Sequence, residues 1–337
     1  MSNEERVMVT GISGFVGLAV AAEALSQGFV VRATIRKREQ EREIWRLLGD
    51  LANEDNLEFA SADLLSDSGW DDAVRGCTYV IHAASPLIIN KVKDESQLIK
   101  PAVEGTRRVL NAAGNAGVSR VVVTSTILTV VGHIAEGLGG PDDYTPADWP
   151  GNTQYTKSKI MAEDATRAFM SQHPGEPAIT TIHPGVIIGP PLRPDEDSES
   201  IALFRGVLNR EQPVVPPLAF PMADIRDVAK VHVAAMTVPD RDNHRYLVAF
   251  SQEPQKIIDI ADVLRAHGYS KAPKRQIPWP VLRLLALVNG EIATLVKSVD
   301  GLSLKVDTTT TQRDLAWTPI DFEQSVIDTA RVLNSAG

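Results

Sequence analysis

Thr10-Gly11-Ile12-Ser13-Gly14-Phe15-Val16-Gly17 constrains this chain more than any other stretch. The apolar run Val7-Met8-Val9 precedes it. Leu18, Ala19, Val20 and Ala22 follow in a segment without proline, which Gly28 closes as a helix C-cap would. The order is strand, glycine turn, helix, the context in which a glycine fingerprint carries meaning. Gly11 turns the chain out of the strand, Gly14 leaves a pyrophosphate unobstructed, and Gly17 lets the helix pack close to the sheet. The N–H groups of the turn and first helical turn, at Ser13, Phe15 and Val16, are then free to hold phosphate oxygens. The spacing is G-x-x-G-x-x-G rather than G-x-G-x-x-G, and an ordinary strand-to-helix turn fits the same residues. The rest of the chain has to decide.

It continues as alternating strands and helices, the pattern of a doubly wound parallel α/β sheet. Val30 to Ile35 reads as the second strand and ends at Arg36-Lys37-Arg38. In a dinucleotide fold this end meets the adenosine ribose, where an acid selects NAD and a base accommodates the 2′-phosphate of NADP. Three cations with no acid among them point to NADP, with Arg36 as main contact and Lys37 beside it. Leu57 to Leu64 reads as a third strand and turn, with Asp63 placed either to reach adenine or to cap the next short helix, Trp70 to Arg75. Thr78 to Pro86 is the fourth strand and its exit. The small residues Ala83, Ala84 and Ser85 there would let a cofactor lie close, while His82 reads as a packed core histidine. A helical pattern runs from Gln97 to Ala116, and Ser119 to Thr124 is the fifth strand.

Ser125 and Thr126 stand at the carboxyl end of that strand, where open α/β sheets bind ligands. His133 to Asn152, rich in Gly, Pro and Asp, reads as a long loop. The helix that follows opens with Tyr155-Thr156-Lys157-Ser158-Lys159, so Tyr155 and Lys159 share a face and Lys157 points elsewhere. Reducing a carbonyl requires a proton for the developing alkoxide. A free tyrosine, with a pKa of about 10, holds its proton too tightly for efficient exchange near neutrality. A neighbouring ammonium lowers that pKa, which is the role expected of Lys159. A strand-end hydroxyl can steady the carbonyl oxygen, and Lys159 can also hold a ribose.

Composition narrows the classes. With 337 residues, 43% of them hydrophobic, the chain can bury a large core. A net charge of −9 argues against nucleic acid as partner. One cysteine, Cys77, excludes an internal disulfide and a multi-cysteine metal site, and no metal is expected. No signal-like stretch precedes the first strand, and Val281 to Val296 is too interrupted to span a bilayer, reading instead as an amphipathic helix. The expectation is a cytoplasmic protein without membrane contact. Amphipathic helices around Gln97 and Tyr155 fit either a monomer or a homodimer.

Taken together, Thr10 to Gly17, Asp63-Leu64, Ser125-Thr126 and Tyr155-x-x-x-Lys159 resemble an extended short-chain dehydrogenase/reductase. Val31 to Arg36, Gly76 to Pro86 and Val103-Glu104-Gly105-Thr106 resemble, more narrowly, its dihydroflavonol reductase, cinnamoyl-CoA reductase and yeast-type ketoreductase (aldehyde reductase) branch. Ile225 to Val233 and Trp317-Thr318-Pro319 do so too. The resemblance covers nearly the whole chain. It implies a Rossmann sheet with a smaller C-terminal substrate lobe. Residues 1–188 would form the NADP-binding domain, with later segments returning to it, and 189–337 mainly the substrate lobe. It implies NADPH-dependent reduction of a ketone or aldehyde by a Ser/Thr-Tyr-Lys triad, with Thr126 where the branch has serine and Ser125 before it. Cofactor contacts would include Asp63, Leu64, Ala83, Ala84, Ser85, Thr124, Tyr155, Lys159, Pro184, Val186 and Ile187. Pro190 to Met222, with its prolines and scattered apolar residues, would be an irregular pocket wall or a packed lid. The same residues leave room for an NAD-dependent nucleotide-sugar epimerase, a hydroxysteroid dehydrogenase or a cofactor-sensing regulator.

Overall fold

The computed structural model describes residues 5–85, 94–239 and 243–334. Pro86, in the exit of the fourth strand, and the first four residues lie outside them. Seven strands build one parallel sheet: β1 (Arg6–Thr10), β2 (Val30–Ile35), β3 (Leu57–Ser61), β4 (Tyr79–His82), β5 (Arg120–Thr124), β6 (Ala178–Pro184) and β7 (His244–Val248). Their spatial order is β7-β6-β5-β4-β1-β2-β3, a Rossmann arrangement in which the order reverses between β1 and β4.

The strands read as continuous apolar runs because both faces of the sheet are covered. Successive residues divide between two cores. Val7, Val9, Ile81 and Val122 join one, while Met8, Val80, Val121 and Val123 join the other. The first core is closed by α1 (Phe15–Ser26), α2 (Gln40–Leu48) and, from far along the chain, α8 (Ile225–Met236). The second is closed by α3 (Trp70–Val74), α4 (Ser96–Asn115) and α6 (Gln154–Gln172). Between the last two comes the single turn α5 (Leu128–Val131).

A third core gathers α5, α7 (Glu199–Asn209), α9 (Ile257–Ala266), α10 (Trp279–Ala286), α11 (Gly290–Val299) and α13 (Phe322–Asn334). Phe204, Ile201, Ile260 and Val326 are fully enclosed there. The short helix α12 (Thr309–Asp314) ties this core to the sheet, Thr311 Oγ1 donating to the carbonyl of Leu247 at 2.9 Å.

Three local expectations are corrected. Pro190 to Met222 is not irregular throughout. Ser198 starts a helix whose Ile201, Phe204, Val207 and Leu208 follow the 3.6-residue period into the third core. Val281 to Val296 is two helices rather than one, because Asn289 intervenes and its Oδ1 caps the second by accepting from the N–H of Ile292 at 3.0 Å. Asp63 does not cap the helix at Trp70, whose N-cap is Gly69; its carboxylate accepts from the N–H of Leu65 at 2.9 Å. Among the described residues no helix is long and apolar enough to cross a membrane, and no group of acidic, His or Cys side chains could hold a metal.

Candidate active site

The carboxyl ends of β1, β4, β5 and β6 converge where the strand order reverses. Gly11 leaves β1 at φ +75°, and a Cβ on it would lie 2.8 Å from the Cα of Ala84 in the exit of β4. Glycine is therefore needed for two strand exits to touch. A Cβ on Gly17 would lie 2.2 Å from the carbonyl oxygen of Gly11. The start of the helix thus packs directly on the exit of β1, the close approach that the motif suggested, and its later turns lie over the sheet. Gly14 is different. The nearest atom to its Cβ position is 3.5 Å away, so nothing in the protein requires glycine there. Gly14 is exposed, Ser13, Phe15 and Val16 are half-buried, and α1 begins without a side-chain cap or an acidic residue in its first turn. Arg36, Lys37 and Arg38 are exposed just past β2. An open, uncapped helix start and a cationic strand end fit a dinucleotide carrying a 2′-phosphate. Asp63 follows β3, and the Leu64 side chain lies against Gly105 of α4, where a Cβ would come within 2.7 Å of it.

Helix α6 starts where Thr153 accepts from the N–H of Thr156 at 3.1 Å. Its inner face presents Tyr155 and, one turn on, Lys159. The Lys159 ammonium donates to the carbonyl of Thr124 at 3.1 Å, and burial brings its pKa down to about 8. Burial pushes the Tyr155 phenol up to about 12, against a hydrogen bond with the Thr126 hydroxyl that pulls it down. The direction is opposite to the one expected from a neighbouring ammonium. Desolvation outweighs the Thr126 hydrogen bond, while the Lys159 Nζ is engaged by the end of β5.

Three fully buried histidines surround this lysine, and each is held neutral. Burial lowers His82 to about 3 and His183 and His232 to about 4. Threonine hydroxyls fix their rings. Thr10 Oγ1 lies 2.9 Å from His82 Nδ1, Thr181 Oγ1 lies 2.7 Å from His183 Nε2, and Thr124 Oγ1 lies 2.8 Å from His232 Nε2. His232 Nδ1 donates to the carbonyl of Val228 at 2.7 Å, so its Nε2 accepts from Thr124. Thr10 also accepts from the N–H of Ala84 at 3.0 Å, which joins β1 to the exit of β4.

Ser125 and Thr126, adjacent in sequence, part company. Thr126 faces Tyr155. Ser125 turns to the buried carboxylate of Glu163, donating to Oε2 at 3.0 Å. Ala84, Ser85, Thr124, Ser125 and Lys159 line one small cavity of about 20 Å³, room for a single water. Pro184 ends β6 and accepts from the N–H of Ile127 at 2.9 Å. Val186 and Ile187 pair with Met222 and Ala223 on the way into the third core. Ala83 stays half-buried beside Ala84. Sequence reasoning missed Glu163, His183, His232 and Arg245. Glu163 carries a local signal, since it lies one further turn along the face of Tyr155 and Lys159; the histidines are hidden in apolar runs.

Comparison with known proteins bears on the family and the fold. Residues 7–249 match the NAD dependent epimerase/dehydratase family. A cinnamoyl-CoA reductase of Medicago truncatula is 30% identical over 68% of this chain and 71% of its own. A dihydroflavonol 4-reductase of Dianthus caryophyllus is 30% identical over 77% and 73%. The solved structure of yeast methylglyoxal/isovaleraldehyde reductase Gre2 complexed with NADPH has the same fold, with a TM-score of 0.82 at 20% identity over 98% of each chain.

Proposed function

The chain belongs to the NAD dependent epimerase/dehydratase family, and within it we propose an NADPH-dependent reductase that converts a ketone or aldehyde to an alcohol. The observation that carries this reading is the pairing of the Thr126 hydroxyl with the Tyr155 phenol, one helical turn from the buried Lys159. The reductases among its relatives and the NADPH of the yeast enzyme support the same reading.

NADPH, when bound, supplies the hydride. Gly11, Gly14 and Gly17, with the N–H groups of Ser13, Phe15 and Val16, would receive its pyrophosphate, and Arg36 and Lys37 its 2′-phosphate. Asp63 and Leu64 would flank the adenine. Ala83, Ala84, Ser85, Thr124, Pro184, Val186 and Ile187 would border the remainder. The chain's own chemistry is the handling of one oxygen. Thr126 and Tyr155 donate to the substrate carbonyl as it gains negative charge, and Tyr155 then gives up its proton to the alkoxide. A phenol with a pKa near 12 is fully protonated at neutral pH, the form a proton donor needs. An epimerase needs that group as a base, and the cations after β2 favour NADP over the NAD of that class.

The test is NADPH oxidation with a panel of aromatic and aliphatic ketones and aldehydes. Tyr155→Phe lowers kcat by roughly 10²- to 10⁴-fold while NADPH still binds. Thr126→Val costs about 10²-fold, and Ser125→Ala costs less than Thr126→Val. Arg36→Ala weakens NADPH by about tenfold and leaves NADH unchanged, as expected for a lost charge-assisted contact. Turnover by Tyr155→Phe at the wild-type rate, or equal losses for the two cofactors, sinks the assignment.

A further inference from the structure

We propose that Glu163 is a positioning residue: anchored by Arg245, its carboxylate binds the Ser125 proton and leaves the Tyr155 side of the site to Thr126. The inference rests on the reductase reading and deepens it.

Glu163 is 6% exposed, and both of its oxygens are used. Oε2 accepts from Ser125 at 3.0 Å. Oε1 receives Arg245 Nε at 3.0 Å and lies 2.8 Å from its Nη2. Burial pushes the carboxyl pKa up, but the Arg245 guanidinium and the hydroxyls of Thr129 and Ser125 act against it, and the group is held below its ordinary value. It is a carboxylate at neutral pH and can only accept. The Ser125 hydrogen is therefore committed to Oε2. Without that acceptor the hydroxyl keeps only the longer 3.3 Å contact with Thr129 Oγ1, on the wall of the cavity it shares with Lys159 and Thr124, next to the working hydroxyl.

Arg245 is fixed in its turn. It donates to the carbonyls of Pro141 and Asp143, the latter at 2.7 Å, and its guanidinium stacks 3.8 Å over the ring of Tyr144. Arg167 covers the same ring at 4.3 Å. One carboxylate thus joins the end of β5, the inner face of α6, the edge strand β7 and the segment at 140–145. A buried ion pair contributes little net stability compared with apolar groups of the same shape. Its presence directly behind the two hydroxyls is explained by what it aims.

The substitution Glu163→Gln keeps the volume. An amide has one acceptor oxygen, which Arg245 takes, and its NH2 then faces Ser125. Ser125 turns from donor to acceptor and its hydrogen swings into the site, since Thr129 Oγ1, 3.3 Å away, is already bound to the Thr126 carbonyl and the His183 ring. The expected result is a 10- to 100-fold lower kcat per NADPH-binding site, the scale of a misplaced catalytic group, with NADPH affinity and binding stoichiometry within twofold of wild type. Adding Ser125→Ala removes the misdirected hydroxyl, and kcat of the double variant recovers at least fivefold over Glu163→Gln alone. A purely structural role for Glu163 predicts fewer NADPH-binding sites at unchanged kcat per site and no recovery, and either result overturns the proposal. Tyr155→Phe measured beside these variants separates the two claims. If it is inactive and Glu163→Gln turns over like wild type, only the positioning role fails; if it stays active, the reductase reading fails and the positioning role with it.

Discussion

Lys159 shows how far a residue's chemistry depends on where the fold puts it. The Tyr155–Lys159 spacing is visible in the sequence, and so is the consequence that they share a helix face. The direction of the tyrosine's shift is not visible, because it follows from burial. With the phenol near 12, the group that ionises closest to neutrality is the lysine, near 8. Its ammonium is the form that can bind anions and a ribose hydroxyl. Raising the pH through 8 discharges it, so kcat/KM for NADPH, which reports the free enzyme, falls above about pH 8. In Lys159→Arg the side chain stays charged to far higher pH, and the alkaline fall moves up by two units or more while the maximum rate drops. An alkaline limb that stays near pH 8 in this variant assigns it to another group. Ser125 and Thr126 teach the same lesson. Two adjacent hydroxyls are equivalent on paper, and only the carboxylate of Glu163, 38 positions later, distinguishes them.

At the scale of the element, the glycine turn and α1 were legible because each strand–turn–helix boundary carries its own signal. The three glycines nevertheless do different work. Gly11 and Gly17 satisfy the protein, as their Cβ positions collide with Ala84 and with the Gly11 carbonyl. Gly14 meets no such contact. Gly14→Ala should therefore change unfolding free energy by no more than about 0.5–1 kcal/mol while NADPH affinity falls tenfold or more. Gly17→Ala should destabilise by about 1–3 kcal/mol, the range for overpacking. Denaturant unfolding and cofactor titration of the two variants distinguish these outcomes, and a Gly14→Ala enzyme that binds NADPH normally removes Gly14 from the cradle. α7 escaped notice because prolines on either side masked its period, and the break between α10 and α11 because an apolar run was read through Asn289-Gly290.

For the whole molecule, the decisive fact is that the chain returns. β7 extends the sheet beyond β6 and α8 lies on the α1 face, although both follow residue 188. Thr329 of α13 accepts from the N–H of Gly189 at 3.0 Å, and Arg226 of α8 bonds Asp328 of the same helix at 2.9 Å. Residues 1–188 expressed alone would leave β6 as a bare edge and the faces of Val7, Val9 and Val20 uncovered. That fragment should lack a cooperative thermal transition, whereas the full chain shows one. A fragment that melts cooperatively would make the first 188 residues an autonomous domain.

The sequence by itself determined the alternation of strands and helices, the glycine turn between β1 and α1, the cationic end of β2 and the Tyr155–Lys159 face, because each is written within a few residues. Tertiary structure alone decided which hydroxyl meets Tyr155, that three histidines stay neutral around Lys159, and that Glu163 and Arg245 stand behind the strand end. Those outcomes depend on burial and on partners distant in the chain, and no local pattern encodes either.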